Sequence, residues 1–229
     1  MKEDAFRQYG ALWRFREMAR LARRLRDRFH DLLQTHGSAA TKQRLWDTEF
    51  ARGRWDGLDA TTGDCVYSRI ERSASGGSIL DLGCGSGSTA NELNEKSYNE
   101  YTGVDISEVA LAKARRRTEA NGRTEKCRFL RGDVVSYEPK KQFDVILFRD
   151  SIYYIKRSLI MSTLMRYSQW LREGGVFIVR IWDGRGKLRE FLDIIKLNFD
   201  IVEEYQDEET GAVVLIFRCH KNRERHQAS

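Results

Sequence analysis

The sequence predicts an α/β fold: a doubly wound, mostly parallel, seven-stranded sheet with a C-terminal antiparallel hairpin and an N-terminal helical extension. Three observations lead there. A short run, Ile79 to Leu82, is apolar apart from Asp81; Gly83, Gly85 and Gly87 follow at once, and a helical pattern begins at about Ser88. Strand-like and helix-like segments then alternate from Ile79 to Leu197, as expected of parallel strands joined by crossover helices. Finally, Phe199–Tyr205 and Ala212–Arg218 flank the polar turn Gln206–Gly211, which reads as a hairpin.

The 229 residues, 41% of them hydrophobic, suffice for one sizeable core with an extension. Charge is unevenly placed. Residues 1–44 carry eleven Lys/Arg against five Asp/Glu, so this segment alone accounts for the net charge of +6. Cys65, Cys84, Cys127 and Cys219 are scattered with no C-x-x-C pair, which argues against a zinc site or a disulfide framework. Reduced thiols, a charged N-terminus without an apolar core, and the lack of any apolar run near twenty residues point to a cytoplasmic protein with no membrane span.

At the N-terminus, Leu12, Phe15, Ala19, Ala22, Leu25, Phe29 and Leu32 recur at helical spacing within Tyr9–Gln34, and arginines fill the other positions. Such a helix either packs with a solvated basic face or docks on nucleic acid or an anionic lipid surface. Gly37–Thr41 reads as a connector. Leu45–Gly57 brings Trp46, Phe50 and Trp55 together beside Arg52 and Arg54. These aromatics either stack on a cation or staple the N-terminal helix to the body. Cys65–Ser73 reads as a helix, and Ser75–Gly77 as a break before the first strand.

The glycine turn after that strand lets the backbone approach a ligand, and a helix start offers free N–H groups. Gly85, Gly87 and Ala90 also satisfy the loose dinucleotide pattern, so an NAD-type oxidoreductase or a non-catalytic cofactor-binding domain remains an alternative. Asp81 lies two residues before the first glycine, where it fixes the loop or balances a cationic ligand. Thr89–Lys96 is the first crossover helix. Tyr101–Ile106 is the second strand, carrying Asp105 at its end, 24 residues beyond Asp81. A carboxylate there has two acceptor oxygens for two ribose hydroxyls, and Ser107 is placed to cap the next helix, Ser107–Asn121. Cys127–Leu130 is the third strand, followed by Gly132-Asp133-Val134. Phe143–Phe148 is the fourth, ending on Arg149, Asp150, Ser151, Ile152, Tyr153 and Tyr154. Ligands of open parallel sheets bind outside those carboxyl ends, so Asp150, Tyr153 and Tyr154 face the expected chemistry. Asp150 could equally cap the next helix, and the tyrosines could be core. Leu159–Leu171 is helical, Arg172–Gly175 closes it, and Val176–Ile181 is the fifth strand. Lys187–Leu197 is the last helix.

The run D-L-G-C-G-S-G from Asp81 resembles the first motif of the class I methyltransferases that use S-adenosylmethionine. The resemblance covers about residues 45–218 and includes the aromatic stretch, the acid Asp105, Asp133-Val134 and L-R-E-G-G before the fifth strand. It implies that Trp46, Asp81, Gly83, Cys84, Gly85, Asp105, Ile106, Asp133, Val134 and Arg149 bind S-adenosyl-L-methionine, with Asp133 on the adenine amino group and Val134 over the ring. It implies catalytic roles for Asp150, which would orient or deprotonate an acceptor, and for Tyr153 and Tyr154. The proline motif of the amino-directed DNA methylases is absent after the fourth strand. The expected organisation is a basic helical extension over 1–44, an aromatic lid over 45–76, a cofactor-binding domain over 77–220 and a tail over 221–229. The expected activity is methyl transfer to nitrogen or oxygen of a small molecule, or alternatively to RNA or another polyanion held by the arginine-rich helix.

Overall fold

The computed structural model describes residues 29–58, 61–183 and 188–220. The chain divides into two units, Met1–Lys42 and Gln43–Ser229. In the first, residues 29–36 form helix α1, which ends where the Gly37 N–H donates to Leu33 O at 3.0 Å. Helix α2, Ala39–Ala51, starts inside the expected connector. The reason is a cap: Ser38 Oγ accepts the Thr41 N–H at 3.2 Å, so only Gly37 and Ser38 interrupt the helices. The basic helix expected over Tyr9–Gln34 lies outside the described residues up to position 28, as does the tail from 221.

The second unit carries a seven-stranded sheet of order β3-β2-β1-β4-β5-β7-β6. The strands are β1 Ser78–Leu82, β2 Glu100–Asp105, β3 Cys127–Arg131, β4 Phe143–Arg149, β5 Leu171–Trp182, β6 Asp200–Gln206 and β7 Ala212–Arg218. The first five are mutually parallel, and β7 inserts antiparallel between β5 and β6. The other helices are α3 Cys65–Ala74, α4 Ser88–Glu92, α5 Glu108–Ala120, α6 Arg157–Ser168 and α7 Arg189–Asn198.

Side chains alternate across the pleat and both faces are covered. Ile79, Tyr101, Val145 and Ile178 pack with Val66 and Ile70 of α3 and Leu111 of α5. Leu80, Leu82, Ile146 and Phe177 pack with Ile160 and Leu164 of α6 and Ile195 of α7. Burying each such side chain contributes roughly 2 kcal/mol, and this double coverage explains why β1 and β4 read as nearly continuous apolar runs. Asp81 falls on the α3 and α5 face, enclosed at 1% exposure.

Two elements differ from expectation. The first crossover helix stops at Glu92, not Lys96, because Leu93 turns extended and Asn94 Oδ1 accepts the Lys96 N–H at 3.0 Å, a local turn that competes with the helix. The fifth strand begins at Leu171: Arg172–Gly175 do not close a helix, which already ends at Ser168, but form the irregular start of β5, where the register with β4 shifts between Phe143 and Val145. No helix among the described residues is long and apolar enough to cross a membrane. None of the four cysteines is in a disulfide.

Candidate functional site

Parallel pairing brings the carboxyl ends of β1, β2, β4 and β5 to one edge of the sheet. Asp81 lies opposite Gly103 and Leu147, and Arg149 lies opposite Arg180. The glycine turn follows β1. Gly83 has φ +85°, and a Cβ there would lie 2.5 Å from Ser151 Cβ, so the β1 and β4 tips touch only because position 83 lacks a side chain. Ser151 Oγ in turn donates to Leu82 O at 2.5 Å. Gly85 lies under an aromatic ring: its missing Cβ would meet Phe50 Cζ at 3.4 Å.

Four N–H groups of the turn are engaged within the protein. Gly83 and Cys84 donate to Val104 O at 2.8 and 3.1 Å, Gly87 donates to Cys84 O at 3.0 Å, and Gly85 donates to Asp105 Oδ2 at 2.9 Å. A turn whose amides are satisfied internally is poorly suited to a pyrophosphate, which needs them.

Asp81 and Asp105 are the buried acids beside the turn. Asp81 Oδ2 accepts the Tyr101 hydroxyl, whereas Oδ1 is buried with no hydrogen-bond partner. Burial raises its pKa to about 6, against the hydrogen bonds from the Tyr101 and Thr89 side chains and the charge of Arg149. An orphaned buried carboxylate oxygen is costly in isolation and suits a cationic ligand. Asp105 is not free in the sense expected of it. Its Oδ1 accepts the Ser107 N–H at 2.8 Å and its Oδ2 the Gly85 N–H. Burial raises its pKa to about 6, with the backbone hydrogen bonds opposing. Each oxygen keeps capacity for a further donor, so the two amides orient the carboxylate without exhausting it. Ser107 does cap α5, accepting the Ala110 N–H at 3.1 Å. Ile106 follows in the same bend. Asp133 opens a turn after β3, with Oδ1 accepting the Val135 N–H at 2.9 Å, and Val134 packs on the α6 and α7 side of the core. Cys84 is buried, which pushes its thiol pKa up and leaves it a packing residue.

The tips of β4 and β5 hold a buried charge network that sequence reasoning missed. Asp64, the N-cap of α3, accepts from Arg149 at 2.9 Å and from Arg180 at 3.2 Å. Burial would raise the Asp64 carboxyl, but the two guanidiniums outweigh it and hold its pKa below the usual value. Asp150, at φ +54°, binds Arg180 through Oδ2 and accepts the Trp182 N–H at 2.9 Å through Oδ1. It therefore caps no helix, correcting that alternative. Both oxygens are engaged, which suits orientation of its surroundings better than proton abstraction. Arg149 is ion-paired with Asp64, with its guanidinium over the Tyr67 ring at 5.2 Å. An N-cap signal at Asp64 was legible before α3, but the arginines it serves lie 85 and 116 residues further on and nothing local links them.

The aromatic segment is assembled over this edge. Trp46 meets Tyr154 edge-on with centroids 4.8 Å apart, and lies 5.8 Å from Trp55 and 6.3 Å from Phe50. Tyr153 lies 4.7 Å from Tyr154, and burial pushes its phenol pKa up. Asp47 Oδ1 accepts from Ser107 Oγ at 2.7 Å and from the Val109 N–H at 3.3 Å, and Lys113 Nζ donates to Phe50 O at 2.9 Å and Asp56 Oδ1 at 2.6 Å. Trp46 and Phe50 thus bridge the β4 tip and the glycine turn. Buried atoms without partners gather here as well: Asp81 Oδ1, Trp55 Nε1, Arg149 Nε and Arg180 Nε.

Comparison with known proteins agrees. Residues 79–175 match the methyltransferase domain family. The chain is 29% identical over 161 residues to a phosphoethanolamine N-methyltransferase of Plasmodium falciparum (isolate 3D7), covering 66% of this chain and 57% of that protein. It is 27% identical over 163 residues to a ribosomal protein L11 methyltransferase of Acetivibrio thermocellus, covering 71% and 49%. The chain thus spans about half the length of these relatives. Among solved structures, an S-adenosylmethionine-dependent methyltransferase of Clostridium acetobutylicum ATCC 824 superposes with a TM-score of 0.59 at 16% identity, covering 75% of this chain and 98% of that one, which shows a common fold.

Proposed function

We propose that the chain is a class I, S-adenosylmethionine-dependent methyltransferase and that it transfers a methyl group to a nitrogen or oxygen nucleophile of a small molecule. The observation that carries the acceptor class is the contact between Trp46 and Tyr154. It puts an aromatic wall over the β4 tip, which suits a small acceptor better than a macromolecular surface. The relatives include one named for a small phosphobase and one named for a ribosomal protein; the aromatic wall favours the first kind.

The cofactor supplies an electrophilic methyl on a sulfonium. The chain's residues divide the remaining work. Asp105, oriented by two amides, would take the ribose hydroxyls, with Val134 covering the adenine, Ile106 beside the nucleoside and Asp133 accepting from the adenine amino group. Gly83, Cys84 and Gly85 supply the close backbone surface, and Asp81 meets positive charge with its orphaned oxygen. Arg149 supports the wall through Asp64. At the acceptor side, Tyr153 and Tyr154 with Trp46 exclude water and align the nucleophile, and Asp150 holds the β4 and β5 tips in register. Alignment and desolvation supply most of the acceleration in such a transfer, and an amine that arrives neutral needs no base.

In this reading residues 1–44 are an extension, 45–76 a lid and 77–220 the catalytic body, with 221–229 a tail, working in the cytoplasm. Calorimetry with S-adenosylmethionine tests the cofactor half: Asp105→Ala abolishes a binding isotherm that the wild type shows. Retained binding in that variant overturns the ribose assignment. A panel of amine and hydroxyl metabolites with radiolabelled methyl donor tests the acceptor, and label found only in RNA or protein overturns the small-molecule reading.

A further inference from the structure

We propose that Arg166 is a positioning residue for the cofactor's nucleobase, acting through the turn that carries Asp133; the inference rests on the cofactor reading above. Arg166 lies in the last turn of α6, where a cation complements the helix dipole. Its guanidinium does something more specific. Nη1 donates to Tyr137 O at 2.6 Å, and Nη2 donates to Val135 O at 2.8 Å and Val134 O at 3.2 Å. The next residue joins it: the Tyr167 hydroxyl lies 2.9 Å from Val134 O and 3.2 Å from Tyr137 O. Arg166 also lies 4.5 Å from the Tyr167 ring, so the two donors stack as one block.

The opposite side of the same turn is built by Asp133. Its carbonyl accepts from Ser136 N at 3.0 Å and Tyr137 N at 2.8 Å, and its carboxylate accepts from Val135 N. The direction of the Asp133 carboxylate is therefore fixed by a turn whose outward carbonyls are gripped by α6. The residue before it is fixed too, since the Gly132 N–H donates to Asp105 O at 2.9 Å. The two acids assigned to the nucleoside are thus tied together from one side and held by Arg166 from the other. A planar guanidinium with a rigid fork of donors matches three carbonyls at set angles, and a lysine ammonium, a point charge, does not.

A merely structural role would weaken every ligand alike. A positioning role changes the reading of the base. The test measures dissociation constants for S-adenosylhomocysteine and S-inosylhomocysteine, in which an oxo group replaces the adenine amino donor. The wild type prefers the adenosyl compound by roughly tenfold, the scale of one hydrogen bond. Arg166→Gln brings the two affinities within about threefold of each other, Arg166→Lys restores part of the preference, and Tyr167→Phe lowers it by a smaller factor. If Arg166→Gln does not fold, Arg166→Lys and Tyr167→Phe decide the matter. A folded variant series that keeps the wild-type ratio overturns the inference and leaves the cofactor reading standing. A wild type that binds neither compound, or binds both equally, overturns the reading of Asp133 and this inference with it.

Discussion

The Ser107 hydroxyl donates to Asp47 Oδ1 at 2.7 Å, across sixty residues of chain. Ser107 is the N-cap of α5 and the second residue after Asp105, so this bond fastens the aromatic segment to the strand end that carries Asp105. Asp47→Ala removes it together with the contact from the Val109 N–H. We expect a loss of about 1 kcal/mol in stability, the scale of a helix-capping interaction, and a cofactor dissociation constant raised severalfold. Denaturant melts and calorimetry check this, and unchanged affinity would detach the lid from the cofactor site.

Lys113 fastens the other end of that segment through Phe50 O and Asp56. Lys113→Met keeps the aliphatic stem and removes both bonds. Cofactor release, followed by the tryptophan fluorescence of Trp46 and Trp55, speeds up several times. An unchanged release rate would mean that the segment does not open during exchange.

The raised carboxyls of Asp81 and Asp105 predict opposite pH trends for stability and for binding. Both have folded-state pKa values of about 6, above the ordinary 3.8, because burial disfavours the charged form. The folded protein without ligand therefore binds protons more tightly than the unfolded chain. The contribution of these groups to stability is fully present below about pH 4 and is lost as pH rises through 6. A cationic ligand favours the ionised acids, so its affinity weakens as pH falls below 6. Asp81→Asn, which keeps an acceptor for Tyr101, should raise the melting temperature of the free protein at pH 7.5 by the equivalent of roughly 1–2 kcal/mol and leave it unchanged near pH 4. Ligand affinity in the variant should fall at pH 7.5. A variant less stable than wild type at pH 7.5 would remove the burial account of Asp81.

Asp150 is committed to Arg180 and to the Trp182 amide, in a left-handed conformation that Asn tolerates and Ala does not. Asp150→Ala leaves Arg180 a buried cation with one partner fewer, and the loss in stability is about 3 kcal/mol. Asp150→Asn is milder: methyl transfer falls by about tenfold or less, cofactor affinity stays near wild type, and the pH profile of turnover keeps its shape. A profile that loses its acidic limb in this variant would return Asp150 to the role of general base.

The strand–turn–helix around Asp81 to Ala90, the acid closing β2 and the final hairpin are all set by local pattern: an apolar run bounded by glycines, an acid at a strand end, two alternating runs about a polar turn. These features reside in a few neighbouring residues, so they are readable without a fold. Other features were not. That β7 slips between β5 and β6 depends on which edge of the sheet receives the hairpin, which no run of residues states. The pairing of Asp64 with Arg149 and Arg180, and the bond of Asp47 to Ser107, join residues far apart in the chain whose types alone are common on any surface.

The sequence by itself determined that this chain builds a doubly wound sheet and sets Asp81 and Asp105 beside a glycine turn, because side-chain period and backbone freedom act over a few residues. Only the tertiary structure decided what those groups face. It gave the turn's amides to Val104 and Asp105, Asp150 to Arg180, and the Asp133 turn to Arg166. The physical reason is that a buried donor or acceptor must find its partner wherever the packed chain brings one, and packing is a property of the whole fold.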